Sequence, residues 1–263
     1  GADPRRFTFV EIGAEAPAPG QPAPGILQGV SHPFGAARTI PLGHEMALSG
    51  PCVVFANELL DAQPFERFAF RRGGWRRLGV AEREGRLAEV ELPGPATADF
   101  LPARAPEGYL VDAPLAATTL LEKIAAQPWT GLFLTCDYGR TLHELLTEYP
   151  AGTARAYHRH RQSNELLAQP GEQDLTCHVC WDWIMDRLRA HGFAAPSVDS
   201  QEAFFIRHAG AFIAAASAAA RVGVPREGDL LALTPVFAAS ALIFVAGVVA
   251  TSLLDRRRAT LRR

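Results

Sequence analysis

Between Ala16 and Gly25 the sequence reads APAPGQPAPG, four prolines and two glycines in ten residues. No helix forms from such a stretch, because proline lacks the backbone N–H and its ring clashes with the preceding turn. It follows at once on RFTFVEIG (6–13), a short apolar strand ending in an acid and a glycine. Whatever sheet this strand enters, the chain leaves it by a loop. Only 38 residues separate Gly13 from Cys52, where the next clear strand begins. A strand–helix–strand unit takes about 30 residues or more, so little regular structure fits between them.

The rest of the chain alternates more conventionally. ARTIPLG (37–43) is expected to be a short edge strand, with Pro41 restricting it to that role. CVVFANE (52–58) is the clearest strand of the first third. RFAFRR, WRRLGVAERE and RLAEVEL, separated by Gly73-Gly74 and Glu84-Gly85, predict an antiparallel meander. APLAATTLLEKIAAQ (113–127) has helical spacing, GLFLTCDYG (131–139) is an apolar strand ending in an acid and a glycine, and TLHELLTEY is helical. Residues 150–174 are polar and predicted to be loop. DLTCHV then reads as a strand, CWDWIMDRLRAHGF as a helix closed by a glycine, and SQEAFFIRHAGAFIAAASAAARVG as a longer helix, with Ser200 and Glu202 suited to its first turn. Strands alternating with helices around a meander indicate an α/β domain.

Composition narrows the partners. With 48% hydrophobic and 21% charged residues the chain can bury a core, and its formal charge of -2 offers no basic field for nucleic acid. Four cysteines, Cys52, Cys136, Cys177 and Cys180, do not make a disulfide framework at this length and fit a reducing, cytoplasmic compartment. GADPRRFTFVEIG lacks the apolar core of a signal peptide and enters a strand almost at once, so the chain is expected to be the remainder of a longer protein.

Three apolar strands end in polar groups: Glu11 and Gly13, then Asn57 and Glu58, then Asp137 and Tyr138. If the strands are parallel, these ends converge on the crevice where open α/β sheets bind ligands. Strand ends are also simply where chains meet water, and the pattern alone leaves both readings open.

A resemblance weighs in at this point. VVFANELLDAQPF contains Asn-Glu-Leu-Leu-Asp-Ala-x-Pro, a signature of the MidA family. GLFLTCDYG resembles that family's apolar strand ending Asp-Tyr-Gly. GTARAYHRHRQSNELLAQPGEQDLTCHV is similar to its Arg-x-Tyr-x-x-His and Leu-x-x-Pro-Gly-x-x-Asp-[Ile/Leu]-Thr-x-His-Val patterns, and SQEAFFIRHAG to a Ser-Gln segment. The likeness spans roughly residues 50 to 212. MidA proteins are S-adenosylmethionine-dependent methyltransferase-fold proteins that include the mitochondrial complex I assembly factor. The resemblance therefore implies a Rossmann-like methyltransferase fold, here with a reduced N-terminal half and the meander inserted at about residues 66–92. It implies methylation of a protein arginine, with S-adenosylmethionine as cofactor and a protein substrate or assembly partner. Carried over by position, Glu11, Gly13 and Asn57 would bind the cofactor. Glu58, Asp61 and Asp137 would be the catalytic carboxylates, since carboxylates bind a guanidinium bidentately and place it for in-line attack.

The chain also departs from the family. A Glu-x-Gly-x-Gly-x-Gly loop and a helix N-terminus are expected after the first strand. In EIGAEAPAPGQPAPG only Gly13 is in place, Glu15 stands where the next glycine belongs, and prolines replace the helix. An acid for the ribose is expected about 20 residues on, and the only acid between Glu15 and Glu58 is Glu45, in a segment without a convincing strand. The alternative to an enzyme is thus a catalytically degenerate relative serving as an assembly or interaction factor.

Two further features stay open on sequence. CHVC (177–180) has the spacing of a metal or redox pair but no second pair nearby, so no metal is expected and the cysteines read as small buried hydrophobes. HRHR (158–161) with Arg155 is a basic patch that either holds a carboxylate or is a solvated, internally paired loop. Beyond residue 229, Leu230 to Leu254 is a 25-residue run without a charge, followed by DRRRATLRR. It is a membrane anchor, a buried helix or strand pair, or a non-homologous terminus from an error in the source sequence.

Overall fold

The structure is a computed structural model that describes residues 2–16, 21, 23, 25–159, 161–194 and 196–210, and the backbone of 246–252. A short 3-10 turn, Pro4–Arg6, is capped by the Asp3 side chain and leads into β1, Thr8–Ala14. β2 is Ala36–Pro41 and β3 Gly50–Asn57. The meander is β4 Glu66–Arg71, β5 Gly74–Arg83 and β6 Arg86–Glu91, joined by β7, Leu110–Ala113. Next come α1 Leu115–Ala125, β8 Trp129–Arg140 and α2 Leu142–Thr147. Three short strands follow, β9 Arg155–His158, β10 Arg161–Ser163 and β11 Asp174–Thr176, then β12 Val179–Cys180 and α3 Trp181–Ala190. β13 is Ser197–Ser200, residues 201–210 are helical (α4), and β14 is Ala246–Ser252.

The main sheet has the order β13-β14-β8-β3-β1-β2, with β12 added beside the end of β8. β2, β1, β3 and β8 are all parallel, and β14 is antiparallel to both β8 and β13. The run 230–254 is therefore in part a sheet strand, at 246–252, and its remaining residues lie outside the described ones. No helix among the described residues is long and apolar enough to cross a membrane.

One face of the sheet is fully covered. Val10, Ile12, Val54, Ala56 and Phe133 point into a core shared with Leu121 and Ile124 of α1 and Ile184 and Leu188 of α3, all 2% exposed or less. Alternation along the strands sends Phe9, Val53, Phe55, Leu132 and Leu134 to the opposite face, where they are only half-buried. Phe9 stacks there on Phe55 at 6.1 Å and packs against Phe34 at 5.3 Å, from the loop after β1. That loop, rather than a helix, is what lies against the β1 end of the sheet. Eight residues, 42–49, then carry the chain from β2 across β1 to β3. The N-terminal half is reduced in this concrete sense.

The meander forms its own four-stranded sheet, β6-β5-β4-β7. Its hairpins turn on Arg72-Gly73 and Glu84-Gly85, both residues of each pair at positive φ, as two-residue type I′ turns require. Gly74, read from sequence as part of the first turn, already belongs to β5. A second core, Phe68, Phe70, Trp75, Tyr109 and Val111, closes this sheet onto the main body through Phe100 and Trp183, whose rings meet at 4.9 Å.

Two expectations change. Residues 150–174 are not simply loop, because β9, β10 and β11 form a small antiparallel sheet there, with Tyr157 opposite Gln162 and Asp174. DLTCHV is not one strand either: it breaks at Cys177-His178 so that β11 joins the small sheet and β12 the main one. Polar composition hides such a sheet because its exposed strands have little apolar alternation to show.

Candidate functional site

β1, β3 and β8 are parallel neighbours. Ile12 pairs with Ala56 and Asn57 with Cys136, so Gly13, Asn57-Glu58 and Asp137-Tyr138 lie along one edge of the sheet. The carboxyl edge of such a sheet is where ligands bind. β8 runs three residues past Asp137, and β12 pairs with that extension through Val179 and Gly139.

The turn after β3 is held to this edge by several hydrogen bonds. The Glu58 N–H donates to the Cys136 carbonyl at 2.8 Å, and Glu58 itself sits at φ +47°. That region is uncommon for a residue with a Cβ, and such conformations concentrate at functional sites. The chain then doubles back over Asp137. Asp137 is fully buried, and its two carboxylate oxygens accept the N–H groups of Leu60 and Asp61, each at 3.0 Å. Thr135 adds a hydroxyl at 3.3 Å. Asp137 thus holds the turn that presents Glu58.

Asp61 is 3% exposed, its backbone N–H holds it against the Asp137 carboxylate, and its own Oδ1 is buried without a partner. Burial pushes both groups above the ordinary carboxylate range, and the charge of Asp61 raises Asp137 further. Two carboxyls this close cannot both ionise cheaply, so the pair keeps a proton. The Asp61 carbonyl accepts the Cys177 N–H at 2.9 Å, which ties β12 to the same turn. Asn57 and Glu58 are exposed. Partial desolvation and then the Asp61 charge raise Glu58. Tyr138 is half-buried, raised by burial and by its neighbours Glu58, Tyr157, Asp61 and Asp137. Of the six residues picked from sequence, four are assembled here: Asn57 and Glu58 outward, Asp61 and Asp137 inward.

The other two are at the end of β1. Gly13 has φ +79°, and a Cβ on it would meet Leu59 Cδ1 at 2.5 Å, so glycine is needed both for the turn and for the approach of the Glu58 loop. Glu11 faces the loop after β1: its Oε2 accepts the Ile26 N–H at 2.7 Å and the Thr39 hydroxyl at 3.4 Å. Beside it a cavity of about 630 Å³ is lined by Phe9, His32, Arg38 and Thr39 among others. Glu45 lies four residues beyond the end of β2, exposed. Sequence reasoning set it aside for want of a strand before it, although it was the only acid in the interval.

S-adenosylmethionine carries an ammonium, a carboxylate and a ribose diol, but no pyrophosphate. Loss of the helix N-terminus that usually cradles phosphates therefore removes less than it would for a dinucleotide. Carboxylates at Glu45 and Glu58, the amide of Asn57 and a backbone opened at Gly13 suit a diol and a cation. The residues present fit the cofactor in kind.

On the far side of the turn an apolar groove of about 610 Å³ runs between the meander and the small sheet, with Pro64, Phe65, Leu78, Val80, Leu166 and Leu175 in its walls. Val80 and Leu175 are 57% and 38% exposed. The groove is held in shape by Asp112, missed on sequence. Asp112 is 3% exposed and takes a bidentate pair from Arg67, at 2.7 and 3.1 Å. It also accepts the N–H groups of Thr153 and Ala154, both at 2.8 Å. Gly152 packs so closely that a Cβ would meet Asp112 Oδ2 at 2.2 Å. The only advance signal was an acid ending the apolar stretch YLVD.

All four cysteines are free and buried. Burial raises Cys136 to about 11 and Cys180 to about 12, and raises Cys177 further. None is a thiolate near neutrality. Among the described residues no three His, Cys, Asp or Glu side chains gather as a metal site.

The sheet order and its polar carboxyl edge define a Rossmann-like methyltransferase fold, and comparison with known proteins agrees. A family with the description "putative S-adenosyl-L-methionine-dependent methyltransferase" matches residues 36–197, more than half of the chain, and the chain belongs to that family. The match takes in Asn57, Glu58, Asp61 and Asp137 but begins after Glu11 and Gly13. Two crystal structures from Burkholderia thailandensis share the fold, both with a TM-score of 0.69. One is an uncharacterised protein, 20% identical, with 95% of this chain and 75% of that one covered. The other belongs to the same superfamily, is regarded as a methyltransferase and was solved bound to S-adenosyl-homocysteine; it is 21% identical, with 95% and 72% covered. No curated protein matches the chain.

Proposed function

We propose that the chain transfers the methyl group of S-adenosylmethionine to an arginine of a protein substrate, with Glu58 receiving the guanidinium. The observation that carries this reading is the Glu58 turn: an exposed carboxylate, fixed at positive φ on the ligand edge by a buried carboxyl pair. The cofactor supplies an electrophilic sulfonium methyl. What the chain must add is a nucleophile held in line and a place for its proton. A carboxylate can pair with two guanidinium N–H groups and fix the plane of the third nitrogen. As that nitrogen gains its methyl, the proton it sheds passes to Glu58, whose raised affinity for protons suits it to the task. Asp61 and Asp137 act as positioning residues, since they face the turn rather than the solvent. Asn57, Gly13 and Glu45 lie toward the cofactor. The apolar groove beside the turn, with room for side chains flanking the arginine, suits a polypeptide acceptor over a small molecule.

A second reading is favoured by one observation. The loop after β1, bound by Glu11 through Ile26, occupies the place of the expected glycine-rich loop and helix. A chain so altered that it no longer binds the cofactor would be an assembly or interaction factor on the same fold.

Calorimetric titration with S-adenosylmethionine and S-adenosyl-homocysteine separates the two. Micromolar binding, lost in Asn57→Ala or Glu58→Ala, supports the enzyme, and methyl transfer to arginine peptides that fails in Glu58→Gln completes the case. No binding by the folded chain leaves the interaction factor.

A further inference from the structure

Beyond Asp137, the extension of β8 carries charges that the methyl-transfer site does not use. Arg140, the last residue of β8, donates from Nε to the Tyr149 hydroxyl at 2.6 Å and from Nη1 to the Gly139 carbonyl at 2.8 Å. Its guanidinium lies 5.7 Å from the centre of the Tyr149 ring. Arg155, at the start of β9, donates from Nη1 to the carbonyls of Ala154 and Gly152, at 2.6 and 3.3 Å. Both arginines are half-buried. Among the described residues neither has a carboxylate within ion-pair distance. Every polar partner they have is neutral.

His178 shares neighbours with both, Tyr149 with Arg140 and the segment 153–154 with Arg155. It is the residue before β12, whose Val179 pairs with Gly139, so its backbone is next to Tyr138. Its N–H donates to Thr153 Oγ1 at 3.3 Å, which fixes it to the segment leading into Arg155. Its ring meets Tyr149 edge-on at 5.5 Å, and its Nδ1 is buried without a partner. Burial, then the charges of Arg140 and Arg155, hold His178 down to about 4, with Asp112 opposing them. The fields of both arginines therefore converge on this ring. Two half-buried cations with no carboxylate in direct contact, Glu144 acting on Arg140 only from farther off, are costly, and an anion taking their free N–H groups recovers that cost.

We propose that Arg140, Arg155 and His178 form a carboxylate-binding site at the extended end of β8. The carboxylate takes the unused guanidinium N–H groups. The site does not rest on an arginine being methylated. Its natural carboxylate has two possible sources, the amino-acid end of the cofactor or an acidic group of the substrate. Arg155 had stood out in the sequence as part of a basic patch, while Arg140 and His178 join it only through the pairing of β12 with β8.

The test uses the full chain labelled at histidine, with the His178 resonances assigned through His178→Gln. Malonate is titrated against its uncharged analogue malonamide. Malonate is expected to move the His178 resonances and malonamide to leave them in place. Arg140→Gln and Arg155→Gln should each weaken malonate by about tenfold or more, as loss of a charge-assisted bond does. Should Arg140→Gln not fold, Arg155→Gln suffices, because its bonds are to loop carbonyls alone. The source is read from competition. If S-adenosyl-homocysteine displaces malonate and 5′-methylthioadenosine, which lacks the carboxylate, does not, the cofactor supplies it. If malonate binds beside S-adenosyl-homocysteine, the substrate does. The proposal falls if malonate leaves His178 unmoved, if malonamide moves it equally, or if Arg155→Gln binds malonate as the parent chain does. None of these readings needs methyl transfer, so their failure is separable from failure of the enzyme.

Discussion

The ends of β1 and of β3 lie next to each other in one sheet, yet they are built differently. The turn after β3 is fixed from beneath by Asp137, a fully buried carboxyl with three donors. The loop after β1 is fixed from the side by Glu11, through one backbone N–H and one long hydroxyl contact. The first is determined by buried hydrogen bonds that water cannot replace, and the second by bonds that water can. Buried, satisfied polar groups set a unique geometry, whereas exposed ones contribute modestly. The structure thus keeps a firm end at β3 and a lightly held end at β1.

This contrast can be tested by mutation. The largest loss is expected for Asp112→Ala, which leaves the half-buried Arg67 with only its longer 3.5 Å contact to Glu89 and strands two N–H groups at 153 and 154. Removing one partner of a buried pair costs about 3–5 kcal/mol, to be read from denaturant unfolding. Asp137→Ala comes next. It leaves the Leu60 and Asp61 N–H groups unpaired, at roughly 1–3 kcal/mol each, and should weaken binding at Glu58 as well as stability. If Asp137→Ala unfolded no more easily than the parent chain, the firm half of the comparison would be wrong.

Much of the firm side was legible in the sequence. Asn57, Glu58, Asp61 and Asp137 stand in a motif whose apolar strand and polar end show on the page, and parallel pairing brings the ends together. What could not be read was direction. Nothing in Asp137 as a letter says that it faces inward and accepts two N–H groups, while Glu58 faces out. Asp112 and His178 were invisible as site residues because their partners, Arg67 and Arg140, lie 45 and 38 positions away in sequence and meet them only through sheet pairing. On the lightly held side the four prolines of 16–25 lie outside the described residues. ARTIPLG reads as an edge strand and is β2, but Glu45, in the segment after it, was not connected with that strand.

Smaller effects belong to that side. Gly13→Ala places a Cβ at φ +79° and against Leu59. Since the Leu59 methyls can shift, the cost should stay near the left-handed penalty of about 1–2 kcal/mol, with cofactor affinity falling in the same titration. Glu11→Gln should cost less, about 0.5–1 kcal/mol, because the amide still accepts the Ile26 N–H through its oxygen. Should Glu11→Gln cost more than Asp137→Ala, the two ends would have to exchange descriptions.

The finest test is at Asp61, where the sign reverses with pH. The Asp61–Asp137 pair is raised above its unfolded range by burial, and Asp137 further by the charge of Asp61. Above a pH of about 4, where free carboxyls ionise, the folded chain holds a proton that the unfolded chain has released. Stability then falls as pH rises toward the folded value, since the native state binds more protons. Asp61→Asn supplies a permanent donor to Asp137 and takes up no proton, so that part of the slope disappears. Near pH 4 the variant should match the parent chain. As pH rises from there it should become progressively the more stable, because only the parent must either hold the extra proton or bear a second buried charge. Glu58, which the Asp61 charge raises, is relieved in the variant and adds to the difference in the same direction. Unfolding curves at several pH values decide it: a difference that does not grow with pH would mean that the pair holds no shared proton, and the turn would then be fixed by the Asp137 acceptors alone.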